Sequence, residues 1–321
     1  MLCSGFVNLL LAIMPQWFSR FTHHVLRHGG YLMLAIGIFA PYGTDHERNI
    51  AFCHDTDVHH IVLSAAGIGD EGSIPSTDAL KALVDKYAAA GITLAALTPE
   101  RIRQASFSDP KIQKEEVAIF GQLIQNMGEA GIPYVHLYLN VDQLSSDAER
   151  EGLWEGLIEV YNQITRIAET AGVRISTHHF HVPDRLLWNY ETMSRLLSEV
   201  NSPANGVTFC QGKSQMAGDD LVKDILNYGD QIFMFHIRDV VTQVEGDISP
   251  EVEKRLADIG YLEVAFGTGE VDMVGSIRAL KQINYQGQIY PEHYPSIAGD
   301  SAAGLAWTIG YIRALDEAVQ V

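Results

Sequence analysis

GVTFCQGKSQMAGDDLVKDILNYGDQIFMFHIR, residues 206–238, is the stretch whose reading decides the fold. It opens and closes on short runs of β-branched and aromatic residues, GVTFC (206–210) and IFMFHIR (232–238). The longer segment between them has helical spacing. Strand, helix and strand in so short a span form a right-handed crossover in a parallel sheet. The same unit recurs in both directions along the chain. Further strands are expected at LAIGIF (34–39), HIVLS (60–64), ITLAAL (92–97), YVHLYLN (134–140), VRISTHH (173–179) and QIYPEH (288–293). The clearest helices are expected over 77–91, 111–131, 149–171 and 269–287.

The boundaries of these helices have physical causes. Ser76 and Thr77 precede DALKAL, and Asp109-Pro110 precedes KIQKEE, so side-chain caps mark two starts. AAAGIT, GEAGIP and ETAGVR each place a glycine between a helix and the next strand, the usual left-handed stop. Eight strand–helix units match a closed (β/α)₈ TIM barrel, for which roughly 250 residues is typical. A doubly wound open sheet would carry a glycine-rich phosphate turn after its first strand. FAPYGTDHE (39–47) is not one. One barrel domain is therefore expected over residues 32–321.

Residues 1–31 fit that repeat poorly. GFVNLLLAIMPQWF (5–18) is apolar but too short to span a bilayer, and Pro15 interrupts it. No basic residue precedes it, and it offers no small-residue cleavage site. We read 1–31 as an extension outside the fold, with Met33 as an alternative start, in preference to an interfacial anchor helix.

Composition narrows the partners. The 321 residues carry 22 Lys and Arg against 40 Asp and Glu, a formal charge of −18. Such a surface repels phosphate backbones and anionic bilayers, so neither a nucleic acid nor a membrane is expected as partner. Three scattered cysteines, Cys3, Cys53 and Cys210, make no disulfide framework, and a cytoplasmic setting is expected.

A TIM barrel builds its site where strands end. The last four strands finish with His178, Cys210, His236 and Glu292. All are ligand types for a divalent ion such as Mn²⁺, Fe²⁺, Co²⁺, Ni²⁺ or Zn²⁺. Each alone has a plainer reading. Cys210 would serve as a small buried hydrophobe, His236 as a satisfied core histidine and Glu292 as a solvated loop carboxylate. In the run HHFH (178–181), His179 and His181 compete with His178. Four such residues at consecutive strand ends favour a metal site.

Around them, His293 is the candidate acid or base. Arg238 is placed either to clamp a substrate carboxylate or to pair with Asp239. His136, Tyr138 and Asn140 end the fourth strand and are candidates for hydroxyl contacts. HDTDVHH (54–60) is assigned to the opposite face, and Gly267-Thr268-Gly269 to a turn capping the next helix.

GVTFCQGKSQMAGDDLVKDILNYGDQIFMFHIRDV (206–240), GTGEVDMVGSIRALKQINYQGQIYPEHYP (267–295) and WTIGYIRAL (307–315) resemble the mannonate dehydratase family of xylose-isomerase-like barrels. AIFGQLIQNMGEAGIPYVHLYLN (118–140) fits as well, and the similarity extends over 33–316. The resemblance implies a hydro-lyase of hexuronate catabolism that converts D-mannonate to 2-keto-3-deoxygluconate. It implies a divalent ion, Mn²⁺ first, with Fe²⁺, Co²⁺, Ni²⁺, Mg²⁺ or Zn²⁺ as alternatives. His178, Cys210, His236 and Glu292 map onto its metal ligands, His293 onto its acid/base histidine and Arg238 onto its strand-seven arginine. A small-molecule sugar acid and a homo-oligomer are the partners expected.

The departures are specific. HHFHVPD (178–184) stands where the family reads His-Pro-Asp-Asp-Pro, and the last ligand position holds Glu292 instead of Asp. GLAW (304–307) replaces a Tyr-Asp-Arg segment, so a family tyrosine is missing, and much of the family's substrate-covering insertion is absent. Two other readings keep the barrel: a metal-dependent sugar isomerase or epimerase, and a non-catalytic metal- or sugar-binding barrel. A barrel that nicks abasic DNA would need a basic face, which this chain lacks.

Overall fold

The computed structural model describes residues 33–320 apart from 70–72 and 245–248, with the backbone alone at Asn140. The reading of residues 1–31, and the contact expected of the Asn140 side chain, fall outside that description. The first half of the fold runs β1 (Ala35–Phe39), α1 (His46–Asp55), β2 (His60–Ser64), α2 (Thr77–Ala89), β3 (Thr93–Thr98), β4 (Ile102–Arg103), α3 (Pro110–Ala130), β5 (Tyr134–Leu137), β6 (Leu139–Asn140) and α4 (Asp147–Ala171). The second half runs β7 (Arg174–His178), α5 (Tyr190–Glu199), β8 (Asn205–Cys210), α6 (Gln211–Ala217), α7 (Leu221–Tyr228), β9 (Ile232–Ile237), β10 (Asp239–Val241), α8 (Pro250–Ile259), β11 (Leu262–Val264), α9 (Met273–Gln282), β12 (Gln288–Pro291) and α10 (Ser301–Ala318).

Eight strands close the barrel in the order β1, β2, β3, β5, β7, β8, β9, β12. Every neighbouring pair is parallel, including the closure of β12 on β1. The caps read from sequence are present. Ser76 accepts from Ala79, Asp109 accepts from Lys111 with Pro110 behind it, and Gly131 and Gly172 end their helices in the left-handed conformation.

Strand alternation sorts side chains into two cores. Inside the barrel, Val62, Ala96, Met234 and Tyr290 pack together with Phe39 and Tyr134. Gly37 belongs to this arrangement, because a Cβ there would run into the Tyr290 ring. A larger apolar layer, including Ile38, Ile61, Leu97, Ile175, Val207 and Ile289, faces the helices outside.

Two expectations are corrected. The strand expected over 134–140 leaves the barrel after Leu137. Leu139–Asn140 instead pairs with β4 in a separate two-stranded ladder, and the Tyr138 carbonyl accepts from Ile102. The helix expected from 269 begins at Met273, with Asp272 as its cap. Its leader cannot join the helix because the buried Asp239 carboxylate takes the amides of Gly267, Gly269 and Val271. The Gly-Thr-Gly turn is thus a strap held by Asp239, and it caps nothing. No helix among the described residues is long and apolar enough to cross a membrane.

Candidate active site

Around and beyond Met234 the inward positions of β7, β8 and β9 turn polar. Ser176 and Thr208 bond each other across β7 and β8, oxygens 2.7 Å apart. One inward step further along stand His178, Cys210 and His236, with Cys210 in register with His236. Glu292 follows directly after β12. One ligand atom from each of these four residues lies within 4.8 Å of every other. Glu292 Oε2 is the hub, 3.4 Å from Cys210 Sγ, 3.4 Å from His236 Nδ1, 3.8 Å from His178 Nε2 and 3.6 Å from Arg238 Nη1.

The hydrogen bonding of this cluster is incomplete in a way that suits a cation. The His178 Nδ1–H donates to the His179 carbonyl at 2.6 Å, so the lone pair sits on Nε2 and points among acceptors. That Nε2 and both nitrogens of His236 are buried without hydrogen-bond partners. Burial drives His178 down to about 3, keeping it a neutral donor. Burial also opposes ionisation of Glu292, but the field of His236 and the closeness of the His178, His236 and His293 rings outweigh it. Its carboxyl is held well below the usual range. Burial and the Glu292 charge push the Cys210 thiol up to about 12, so a divalent ion would have to displace its proton. Two imidazoles, a thiol and a carboxylate converging on one point fit such an ion.

The competing histidines are turned elsewhere. His179 donates from Nδ1 to the Phe180 carbonyl at 2.7 Å, and its Nε2 lies 3.4 Å from Ser214 Oγ. His181 meets Lys213 Nζ at 3.1 Å and packs edge-on against Tyr261. Arg238 does not pair with Asp239, whose carboxylate is spent on backbone amides. It faces Glu263 and Glu292, each 3.6 Å from Nη1. It is fully buried, and none of its three guanidinium nitrogens has a hydrogen-bond partner among the described residues.

His293 adopts φ +53°, a left-handed turn that swings its ring back over the cluster. Its Nδ1 lies 3.1 Å from Glu263 Oε1 and its Nε2 3.5 Å from Glu292 Oε1. Tyr138 donates to Glu292 Oε1 at 3.3 Å and stacks on His178 with ring centroids 4.5 Å apart. His136 shares this polar region, its Nδ1 3.0 Å from Thr98 Oγ1 and its Nε2 unpartnered. The HDTDVHH segment lies at the other end of the barrel, where His54 contacts the Ala90 carbonyl beyond α2.

Sequence reading missed Glu263 and Lys213. Glu263 belongs to the antiparallel β10–β11 ladder, an excursion outside the strand–helix repeat. Lys213 lies on the short helix directly after Cys210 and looks like any helical lysine. Its distance of three residues from a strand-end ligand type was the available signal. Glu292 and His293 also line a cavity of about 620 Å³ that spreads over the ends of β1, β2 and β3. Phe39, Ser64, Thr98, His136 and Tyr138 are among its walls.

A closed parallel barrel with polar side chains gathered at the carboxyl ends of its strands defines the (β/α)₈ TIM-barrel class. Residues 49–315 match the xylose isomerase-like TIM barrel family, and the chain belongs to that family. Mannonate dehydratase of Oceanobacillus iheyensis is 30% identical over 163 residues, 48% of this chain and 43% of that protein. The matched region spans about half the length of such curated relatives. Among solved structures, mannonate dehydratase from Streptococcus suis serotype 2 superposes with a TM-score of 0.70 at 17% identity, covering 90% of this chain and 95% of its own. An L-ribulose 3-epimerase superposes equally well, at 0.70 and 16% identity over 89% of this chain and 96% of its own. At these identities the two structures speak to the fold alone.

Proposed function

We propose that this protein is a divalent-metal-dependent hydro-lyase that removes water from a sugar acid, converting D-mannonate to 2-keto-3-deoxygluconate. The observation that carries the reading is the His178–Cys210–His236–Glu292 cluster, with the buried, hydrogen-bond-free guanidinium of Arg238 beside it. Sequence similarity to mannonate dehydratases supports the choice of substrate.

Those four side chains would hold the ion, Mn²⁺ in this proposal. Bound there, it would supply Lewis acidity to substrate oxygens and make the proton at C2 easier to remove. Arg238 orients the substrate carboxylate through paired N–H donors. A base takes the C2 proton while His293 delivers a proton to the C3 hydroxyl, which leaves as water, and the resulting enol tautomerises to the 2-keto product. Glu263 keeps the Nδ1–H of His293 engaged, so the proton given up is the one on Nε2. Tyr138 holds the second oxygen of Glu292 and keeps the carboxylate turned towards the histidines.

The test is incubation of Mn²⁺-loaded protein with a panel of aldonates, scored for 2-keto-3-deoxy products. D-mannonate is expected to react. No product from any aldonate, together with interconversion of ketoses, would replace this reading with epimerase chemistry. His293→Ala is expected to keep its metal and lose turnover, and full activity in that variant would overturn its role.

A further inference from the structure

We infer that Lys213 and Arg238 together grip the substrate's carboxylate, so that a sugar acid lies with its acid end over β8 and β9 and its hydroxylated tail in the cavity over β1, β2 and β3. This rests on the sugar-acid reading above and names the second anion contact of the same site.

Position along the chain supplies the first argument. Lys213, His181 and Arg238 lie three, three and two residues beyond Cys210, His178 and His236. They therefore stand just beyond the carboxyl ends of the same three strands. Lys213 Nζ meets His181 Nδ1 at 3.1 Å, its one side-chain hydrogen bond among those described. That partner is neutral. Burial first, and the Lys213 charge second, take His181 down to about 3, so the neutral ring accepts a hydrogen bond from the lysine without cancelling its charge. Arg238 stands next to it. The missing Cβ of Gly212 makes room for the arginine stem, which would lie 2.5 Å from such an atom at Cγ and 2.6 Å at Nε. Glu263 and Glu292 stand 3.6 Å from Arg238 Nη1, yet among the described residues no carboxylate hydrogen-bonds either cation, which is unexpected in a chain of net charge −18. Buried cations are expensive unless an anion joins them.

The cavity supplies the second argument. No lysine or arginine is among its described lining residues; hydroxyls of Ser64, Thr98, Tyr138 and Ser301, with apolar faces such as Phe39, contribute to its wall. That surface suits a polyol chain and offers an acid group nothing. The metal-type cluster lies between the two regions, so a linear sugar acid reaching both would present its reacting carbons there. Selection of acids over neutral sugars then follows from the cations, because a site built to pair an anion rejects a ligand that leaves it unpaired.

The experiment measures D-mannonate, D-gluconate and D-mannitol binding to Mn²⁺-loaded protein by calorimetry, for wild type, Lys213→Met and Lys213→Arg. Substitution leaves the Lys213 backbone amide, which donates to Cys210 Sγ, in place. Loss of one charge-assisted contact is expected to weaken both aldonates by about tenfold to a hundredfold. Lys213→Arg should recover most of that loss, while mannitol binding and metal content stay unchanged. Aldonate affinity in Lys213→Met within twofold of wild type overturns the proposal. So does a parallel loss of mannitol affinity, which would mean a general structural effect. Should Lys213→Met fail to fold, Lys213→Gln carries the same comparison. Lysine-dependent aldonate binding without any turnover would remove the dehydratase reading and leave the carboxylate site standing.

Discussion

Gly212→Ala tests how tightly the site is built around Arg238. The added methyl would sit 2.5 Å from Arg238 Cγ, 2.6 Å from Nε and 3.0 Å from Cδ. Ordinary carbon contacts begin near 3.4 Å, so about 0.9 Å must be found. The exposed end of a flexible side chain would yield that distance easily. Here the crowded atoms are Cγ, Cδ and Nε of a fully buried arginine. Overpacking of this kind costs about 1–3 kcal/mol. The arginine is then expected to move off its position 3.6 Å from Glu292 and Glu263. Misplacing a substrate-orienting group by 1 Å lowers turnover about a hundredfold. Denaturant unfolding and the kcat/KM for D-mannonate read the two effects. Gly152→Ala serves as control, since nothing lies within 4 Å of its added carbon and it sits on the exposed side of α4. That change is expected to raise stability by about 0.5–1 kcal/mol. Gly212→Ala matching the control in stability and activity would refute the claim that this glycine shapes the arginine's channel.

Cys210→Ser should abolish the thiolate-to-cobalt charge-transfer absorption of Co²⁺-loaded protein, and an unchanged spectrum would remove Cys210 from the ligand set. Glu263→Gln should lower kcat by about tenfold or more with metal content and KM near wild type, part of the general acid's usual effect. A change in KM alone would mean that Glu263 does not act through His293. Burial lowers His179 to about 4, so the unfolded chain takes up a proton on this residue below 6.5 that the folded one refuses. Its contribution to stability therefore falls as pH drops from 7 to 5, by about 2 kcal/mol in metal-free protein. His179→Gln should shrink the loss of stability on acidification by that amount, and parallel pH profiles for the two proteins would contradict the assignment.

The barrel was legible because its signals are local and redundant. Ser76, Asp109, Gly131 and Gly172 mark element ends by hydrogen bonding and backbone preference, and neither depends on distant residues. Strand-end ligand types could be picked out because a TIM barrel converts position within a repeat into height along its axis. The failures share a different cause. Asp239 redirects the Gly267–Val271 leader from 28 residues or more away in sequence, and β4 draws Leu139–Asn140 out of the barrel, so long-range hydrogen bonds override local spacing.

Glu263 and Lys213 were invisible for a related reason. Their chemistry comes from what they meet, and they meet residues brought together only by barrel closure. The same dependence explains how an anionic protein can hold an anionic substrate. Charge summed over the chain governs long-range approach and is screened beyond about 8–10 Å at physiological ionic strength. Capture depends on the few groups within that distance. At this site Arg238 and Lys213 stand over neutral histidines, opposed by Glu263 and, at the same 3.6 Å from Arg238, by the cluster carboxylate of Glu292. Ligation of a divalent ion would engage that carboxylate and raise the local charge, so metal loading should precede and strengthen sugar-acid binding. Equal D-mannonate affinity of metal-free and Mn²⁺-loaded protein would show this account of capture to be wrong.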